Sequence, residues 1–457
     1  MTAADKFLKA ADSKAFDLKH RKTINFNMAR YHTAVEKGLS NFSNLELARN
    51  RANHIKWGAI EKLEQYLLQF ETNFIANGGK VIWAQDGAEA IQEVLKIFKR
   101  VEGRSLVKSK SMVTEEIHLN QALEKNGIEV FETDLGEFIQ QLDGEPPYHI
   151  VTPAMHKSKE DIAALFHDKL KTAPNLSPEE LTNVARKLLR EKYSSADVGI
   201  TGANFIVADT GSIAITENEG NARLSVTFPK VHIVLAGIEK VIPSINDLNL
   251  FWPLLATHGT GQFVTVYNSL LSGPRRNGET DGPDEMYVIL LDNGRTDILA
   301  DTEHRQSLYC IRCGACLNAC PIYKNIGGHT YGTTYSGPIG SVISPHLEGM
   351  QEFKHLSHAS SLCGNCTEVC PVRIDLHKLL LINRRQSREQ GFQPKGEDRV
   401  WSYWKKAMLS RKLMNLPGAS LKNLGLRYFV KGMWGKRREL PQLANQSFNE
   451  RWRKGQK

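Results

Sequence analysis

Seven cysteines stand in two runs and nowhere else in the 457-residue chain. The first run reads Cys310-x-x-Cys313-x-x-Cys316-x-x-x-Cys320-Pro321, and the second reads Cys363-x-x-Cys366-x-x-x-Cys370-Pro371. Three thiolates at i, i+3 and i+6 of an irregular loop can reach three corners of one iron–sulfur cube. The proline-flanked fourth cysteine points away and ligates the other cluster. This spacing assigns Cys310, Cys313, Cys316 and Cys370 to a first cluster, and Cys320, Cys363 and Cys366 to a second. All seven are used, and none is left for a disulfide. Zinc takes pairs of ligands separated by a longer loop, which the uneven spacing fits badly.

The second run departs from the first in one place. Ser360 stands three residues before Cys363, where a complete run carries cysteine. Two readings follow: a three-iron cluster, or a four-iron cluster whose last iron takes Ser360, water or a partner's group. An iron without thiolate is the more labile corner, so the second site is expected to be the sensitive one.

Regular elements must hold these loops. Residues 1–80 read as helices. Ser43-x-x-Glu46 has the form of a capping box, and Leu47, Trp57, Ile60, Leu63, Leu67 and Phe70 recur near helical spacing up to Asn77-Gly78-Gly79. From 80 to 240 short apolar runs alternate with helical stretches, the pattern of a parallel α/β sheet. Strands are expected at Val81–Trp83, Leu106-Val107, Ile128–Phe131, His149–Val151, Ile206–Ala208, Ile213–Ile215 and Val231–Leu235, with a last one at Val288–Leu291. Helices are expected from Asp86 to Arg100, from near Thr114, through Phe138 and Leu142, and after Ser177-Pro178, where proline takes the first helical position.

Between the strands lie loops of small and polar residues: Lys108-Ser109-Lys110-Ser111, Thr201-Gly202-Ala203-Asn204, Asp209–Ser212 and Glu217–Asn221. Open α/β sheets bind ligands in loops beyond strand ends. The plain alternative is tight turns, where Gly and Asn supply positive φ. No GxGxxG or Walker A run is present, so a dinucleotide or ATP has no support. Pro274-Arg275-Arg276 could clamp a carboxylate bidentately, or be a solvated charge pair. His232, His258, His118 and His156 are histidines that could serve as a base, though a buried structural histidine is the commoner outcome; no catalytic residue is assigned.

The length implies two or three domains: an α/β domain over 1–300, a mostly helical two-cluster ferredoxin domain over 301–390, and a basic extension over 391–457. A Gly-rich insertion, Gly327 to Gly340, separates the cysteine runs, and Asp375 opens a helix through Leu376, Leu379, Leu380 and Asn383. No run approaches 18 apolar residues, so no membrane-spanning helix is expected. The opening residues lack a secretory h-region, and free thiolates need a reducing compartment; a cytoplasmic location follows as an expectation.

The net charge of +9 is uneven. Residues 384–457 hold 19 of the 59 Lys/Arg and five of the 50 Asp/Glu, leaving 40 and 45 for the rest. That tail interleaves aromatic and basic residues: Trp401, Trp404, Lys405, Lys406, Tyr428, Phe429, Trp434, Lys436, Arg437, Trp452 and Arg453. Docking on an acidic partner subunit competes with peripheral contact on an anionic membrane. Nucleic acid is the weakest reading, since no reader motif accompanies the charge.

Lys108-Ser-Lys-Ser-Met-Val-Thr-Glu-Glu116, Thr201-Gly-Ala-Asn204, Glu219-Gly-Asn-Ala-Arg223, His232, Gly237-Ile-Glu-Lys240, Gly273-Pro-Arg-Arg276 and the two cysteine runs occur in one order. Together they resemble the lactate-utilisation iron–sulfur protein (LutB) family across essentially the whole chain. The resemblance implies an N-terminal lactate-utilisation (LUD) domain with a fold like the sugar-phosphate isomerase and CoA-transferase group. It also implies cluster ligation by the seven cysteines, usually as two [4Fe-4S] clusters; Ser360 sets against that a [3Fe-4S] second cluster. It implies a three-part complex, with a cysteine-rich-domain partner and a second LUD-domain partner, that oxidises L-lactate to pyruvate.

The reading is an electron-transfer subunit that relays electrons through two clusters to an acceptor such as a quinone or a carrier protein. Two alternatives stand beside it. One is an iron–sulfur subunit for another 2-hydroxy acid or a succinate-dehydrogenase-like oxidoreductase; the other is a regulatory protein with structural clusters.

Overall fold

Apolar runs bounded by turns become strands when two faces cover them, and ten strands form among the described residues. They are β1 (Lys80–Ala84), β2 (Ser105–Lys108), β3 (Glu129–Glu132), β4 (Val198–Thr201), β5 (Phe205–Val207), β6 (Ser212–Glu217), β7 (Val231–Gly237), β8 (Val241–Ile242), β9 (Tyr267–Leu271) and β10 (Glu285–Leu291). The computed structural model describes residues 1–394, 396–435 and 438–455, and their side chains except that of residue 433.

Six strands make one wholly parallel sheet in the order β1-β10-β7-β4-β2-β3. Its register sets Val288 beside Val234 and Ile233 beside Ile200. Every residue of β7 is buried, as expected of a central strand covered on both sides. The α/β fold class with a mainly parallel sheet and a helical cysteine-bearing region is therefore present.

Two expectations need correction. β5 and β6 do not join that sheet. They belong to a second, four-stranded one, β8-β5-β6-β9, in which β6 runs antiparallel to both neighbours. His149–Val151 is not a strand but an irregular segment. The His149 ring accepts N–H bonds from Val151 and Thr152, so local side-chain contacts replace a ladder.

The helix Gly87–Arg100 shows why the crossovers form. Asp86 caps it by accepting from the Glu89 N–H at 2.9 Å, and the Glu89 carboxylate takes the Gln85 N–H at 2.7 Å. Ala90, Val94, Ile97 and Phe98 share its buried face, and burying each larger side chain is worth roughly 1.5–3 kcal/mol. In the helix Pro178–Ser195, Ser177 and Glu180 form a capping box and Leu181, Ala185 and Leu189 are buried.

The N-terminal helices include Leu18–Leu39, Leu45–Glu61 and Leu63–Ala76. The cap of the second is Asn44, which accepts from Leu47 N–H at 2.9 Å, and not Ser43. Ile60, Leu63, Leu67 and Phe70 are buried, whereas Leu47 and Trp57 face solvent at 55% and 46% exposure. The break at Lys62 resets the helical phase.

The chain forms two compact units, Met1–Ser387 and Arg388–Lys457. In the first, one continuous apolar core joins Ile24 and Phe74 of the N-terminal helices, Val207 and Ile213 of the second sheet, and Leu317, Tyr323, Ile343 and Leu379 of the cysteine-bearing region. The Gly-rich insertion supplies the helix Gly337–Leu347, buried from Gly337 to Pro345.

The second unit contains the helices Glu397–Leu409, Arg411–Asn415, Ala419–Gly425 and Phe448–Gly455, none with a buried residue. Trp401, Trp404, Phe429 and Trp452 are exposed. Lys436 and Arg437 lie outside the described residues. Among the described residues no helix is long and apolar enough to cross a membrane.

Candidate metal centre

The two cysteine runs adopt one local fold. After Cys310 the chain turns through Arg312 (φ +61°) and Gly314 (φ +79°) into the helix Ala315–Ala319. The second run turns through Leu362 (φ +54°) and Gly364 (φ +81°) into the helix Asn365–Glu368. Left-handed backbone costs a non-glycine residue about 1–2 kcal/mol, and two such residues at matching places mark a shared constraint.

Backbone N–H groups point at the sulfurs. Arg312 donates to Cys310 Sγ at 3.4 Å, Tyr323 to Cys320 Sγ at 3.5 Å and Ile374 to Cys370 Sγ at 3.3 Å. Leu362 donates to Ser360 Oγ at 3.1 Å, the counterpart of the first of these. Hydrogen bonds of this kind stabilise thiolate charge.

The thiols gather as four and three. Cys310, Cys313, Cys316 and Cys370 line one pocket with Ile150, Ile339, Val372, Ile374 and Leu376. Burial pushes the Cys370 thiol up to about 12, and Cys310 adds to it. Burial holds Cys316 well above the ordinary thiol range, reinforced by Cys310, Cys313 and Cys370. In the other group, burial pushes Cys366 up to about 11, with Cys320 and Cys363 adding repulsion. Cys363 is exposed, and the Asn365 N–H draws its thiol downward. Asn365 Nδ2 also donates to Ala319 O at 3.1 Å, tying the two loops together.

Crowded thiols are costly as protons-off anions unless a cation draws them together. Thiolate donors, sulfur-directed N–H groups and an apolar shell are what iron–sulfur clusters require, so the residues present fit two such groups.

The first-cluster loop is anchored from far away in sequence. Arg49, buried on the helix Leu45–Glu61, donates Nε and Nη2 to Cys370 O at 3.1 and 2.8 Å. Asn53 Nδ2 reaches Val372 O at 2.8 Å. Lys56 Nζ donates to Glu239 O at 2.6 Å. Arg295 bridges Glu239 (Nε to Oε2, 2.6 Å) and Glu116 (Nη2 to Oε2, 2.8 Å), and Tyr335 OH donates to Glu116 at 2.6 Å. Arg312 lies 4.5 Å above the Tyr335 ring and reaches Glu239 at 3.4 Å. This buried network links the α/β sheet to Arg312, one of the two residues between Cys310 and Cys313.

Beside that network lies a cavity of about 350 Å³, lined by Ser109, Lys110 and Ser111 after β2, Gly202, Ala203 and Asn204 after β4, Lys240 after β7, and Arg312, Cys313 and Tyr335. Three loops expected to face a ligand, those after β2 and β4 and Glu217–Asn221 after β6, thus share one cleft at strand carboxyl ends. Arg275 and Arg276 do not reach it: they are exposed, and Arg275 pairs with Asp284 at 2.5 Å.

The four histidines do not come together as a catalytic group. His232, fully buried on β7, bonds Thr201 Oγ1 at 2.9 Å and is lowered to about 3 by burial. His258 bonds Leu254 O at 2.9 Å and is lowered to about 4 by burial. His156 stands 3.1 Å from Glu145. His118 precedes the helix Leu119–Lys125 at φ +54°.

Arg49, Lys56 and Asn318, which takes His149 Nε2 at 3.1 Å, were not singled out by pattern, since nothing local marks a helical Arg or Lys as a distant loop's anchor. Lys240 stood only within the Gly237–Lys240 signature.

A family model described as the LUD domain matches residues 67–291, and one described as the 4Fe-4S dicluster domain matches residues 306–374. The Lactate utilization protein B of Anoxybacillus flavithermus is 46% identical over 387 residues, 79% of this chain and 82% of its own. An Escherichia coli protein called uncharacterized electron transport protein YkgF is 41% identical over 446 residues, 95% of this chain and 94% of its own. A solved DUF162 family protein from Deinococcus radiodurans, 14% identical, covers 50% of this chain and 98% of its own at a TM-score of 0.29, too slight a likeness to argue from.

Proposed function

Because this chain belongs to the lactate utilization protein B family, we propose that it is the electron-transfer subunit of a complex oxidising L-lactate to pyruvate. It is an iron–sulfur protein of lactate utilisation with a 4Fe-4S dicluster domain. The observation that carries the finer reading is the four-and-three grouping of its thiols, on two loops tied by Asn365. Lactate oxidation releases two electrons and two protons; bound clusters would each take one electron at a time.

In this reading Cys310, Cys313, Cys316 and Cys370 hold the first cluster. Cys320, Cys363 and Cys366 hold the second, and Ser360 supplies its fourth ligand. The Leu362 N–H on Ser360 Oγ, matching the Arg312 N–H on Cys310 Sγ, supports that placement. The exposed Cys363 makes the second cluster the side from which electrons pass to a partner.

The partners are a cysteine-rich-domain subunit and a second LUD-domain subunit. The basic aromatic tail docks on an acidic face of one of them, in keeping with its exposed Trp401, Trp404 and Trp452.

The test is anaerobic co-purification with the products of neighbouring genes, followed by L-lactate. Bleaching of the iron–sulfur absorbance by L-lactate, but not by glycolate or glycerol phosphate, is expected. Clusters that take electrons from dithionite but never from lactate in the assembled complex would exclude the reading.

A further inference from the structure

The cavity beside the first cysteine loop has a charge polarity that the relay reading leaves unused. Its inner end holds two cations with spare donors. Lys240 is only 7% exposed, and among the described residues its ammonium makes no hydrogen bond or close ion pair, the Glu239 carboxylate and the Cys310 sulfur attracting it from farther off. Arg312 Nη1 is buried without a partner. Neighbouring Arg295 shows the contrast: Nε, Nη1 and Nη2 all find acceptors on Glu239, Glu116 or Asp292.

Leaving a buried donor unmade costs about 1–3 kcal/mol, more when charged. One such guanidinium nitrogen, beside the nearly buried ammonium of Lys240 in one open cavity, points to a ligand that supplies acceptors to both. The Cys310 sulfur attracts both cations and Arg312 also borders the cysteine pocket, but neither side chain hydrogen-bonds a cysteine sulfur among the described residues.

The outer end is acidic. Asp134, Glu217 and Glu219 line it, with Lys110 among them at 3.7 Å from Asp134. Glu217 accepts from the Ala222 and Arg223 N–H groups at 2.8 and 3.0 Å, and Glu219 accepts from Leu135 N–H at 3.1 Å. Both carboxylates are therefore held in place. Asn204 and Ser111 lie on the same walls.

We propose that this cavity binds a small monocarboxylate of the 2-hydroxy- or 2-oxo-acid class, its carboxylate on Lys240 and Arg312 and its uncharged end toward the acidic rim. Burial and the neighbouring Asp134 already raise Glu219 to about 7 and Glu217 above its ordinary value, so a second carboxylate brought to this rim adds to an existing repulsion and the site selects monocarboxylates over dicarboxylates. The inference rests on the lactate reading for the identity of the acid, but binding requires no turnover. It places the acid against the loop of Cys310 and Cys313, on this chain.

The test uses full-length protein purified without oxygen, with cluster content fixed by iron analysis and EPR. Titration calorimetry is run with L-lactate, pyruvate and malate. L-Lactate and pyruvate are expected to bind at least about ten-fold tighter than malate. Lys240→Met should weaken lactate by about 100-fold or more with iron content unchanged. Glu219→Gln, at an exposed rim position, should narrow the lactate-to-malate ratio; it keeps the test available if Lys240→Met loses its clusters.

Failure of the clustered protein to bind either monocarboxylate, equal binding of malate, or an unaltered ratio in Glu219→Gln would overturn the proposal. Lactate-driven reduction of the assembled complex, unaffected by Lys240→Met, would place lactate on another subunit and leave the relay reading intact. Binding without any lactate-driven reduction would do the reverse.

Discussion

Leu362 donates its backbone N–H to the hydroxyl oxygen of Ser360 at 3.1 Å. Arg312 stands in the same relation to Cys310, at 3.4 Å, and both donors have left-handed φ. The second loop thus presents an oxygen in the setting where the first presents a sulfur.

Substitution at this position should change the second cluster alone. Ser360→Cys should suppress the three-iron EPR signal that mild oxidation produces in the wild type, and Ser360→Ala should enhance it. Identical spectra for wild type and Ser360→Ala would mean the hydroxyl ligates nothing.

Arg49 should matter to the first cluster although it holds no metal. Its two donors on Cys370 O are charge-assisted, each worth roughly 1.5–3 kcal/mol. Arg49→Met should lower the thermal midpoint and release first-cluster iron sooner than second-cluster iron. Asn53→Ala, with one neutral bond to Val372, should do so less.

The Arg295 network is a buried set of charges. Arg295→Met strands Glu116 and Glu239, and breaking such a pair from one side costs about 3–5 kcal/mol. A urea midpoint within error of wild type would show that the network bears no load. Replacing all three by apolar residues should be milder than the single change.

His232 gives a pH dependence with a defined sign. Burial lowers it from 6.5 to about 3. The unfolded chain takes a proton below its ordinary value while the folded chain does not. Stability is therefore complete above about pH 6.5 and falls as pH drops toward 3, at roughly 1.4 kcal/mol per pH unit. Between pH 6.5 and pH 5 the wild type should lose about 2 kcal/mol more than His232→Gln, read from urea midpoints. Parallel declines would show that His232 is not held neutral.

A chain ending at Ser387 contains the whole first unit. It should keep its iron and its EPR spectra yet fail to co-purify with the partner subunits. Loss of flotation on anionic liposomes instead would assign the tail to a membrane surface.

What could be read in advance follows the range of the forces involved. The cysteine runs and the strands at Leu106, Val231 and Val288 are local patterns, and their neighbours in sequence suffice to specify them. The loops after β2 and β4 were legible for the same reason, because ligand clefts sit at strand carboxyl ends. β5 and β6 were legible as strands but not as a second sheet. That depends on pairing with β9, whose exposure alternates residue by residue, and with the two-residue β8. Arg49 and Cys370 are 321 residues apart, and no periodicity foretells such a bond. His149 was misread because Ile150 and Val151 imitate a strand, while its ring caps its own loop.

The central claim is that seven cysteines and one serine hold two clusters. Mössbauer spectroscopy of protein made without oxygen tests it most directly. The account predicts two four-iron signals, with one iron site in the second distinct from its thiolate-bound neighbours. Iron-free, well-folded protein, or two clusters with every iron equivalent in ligation, would contradict it.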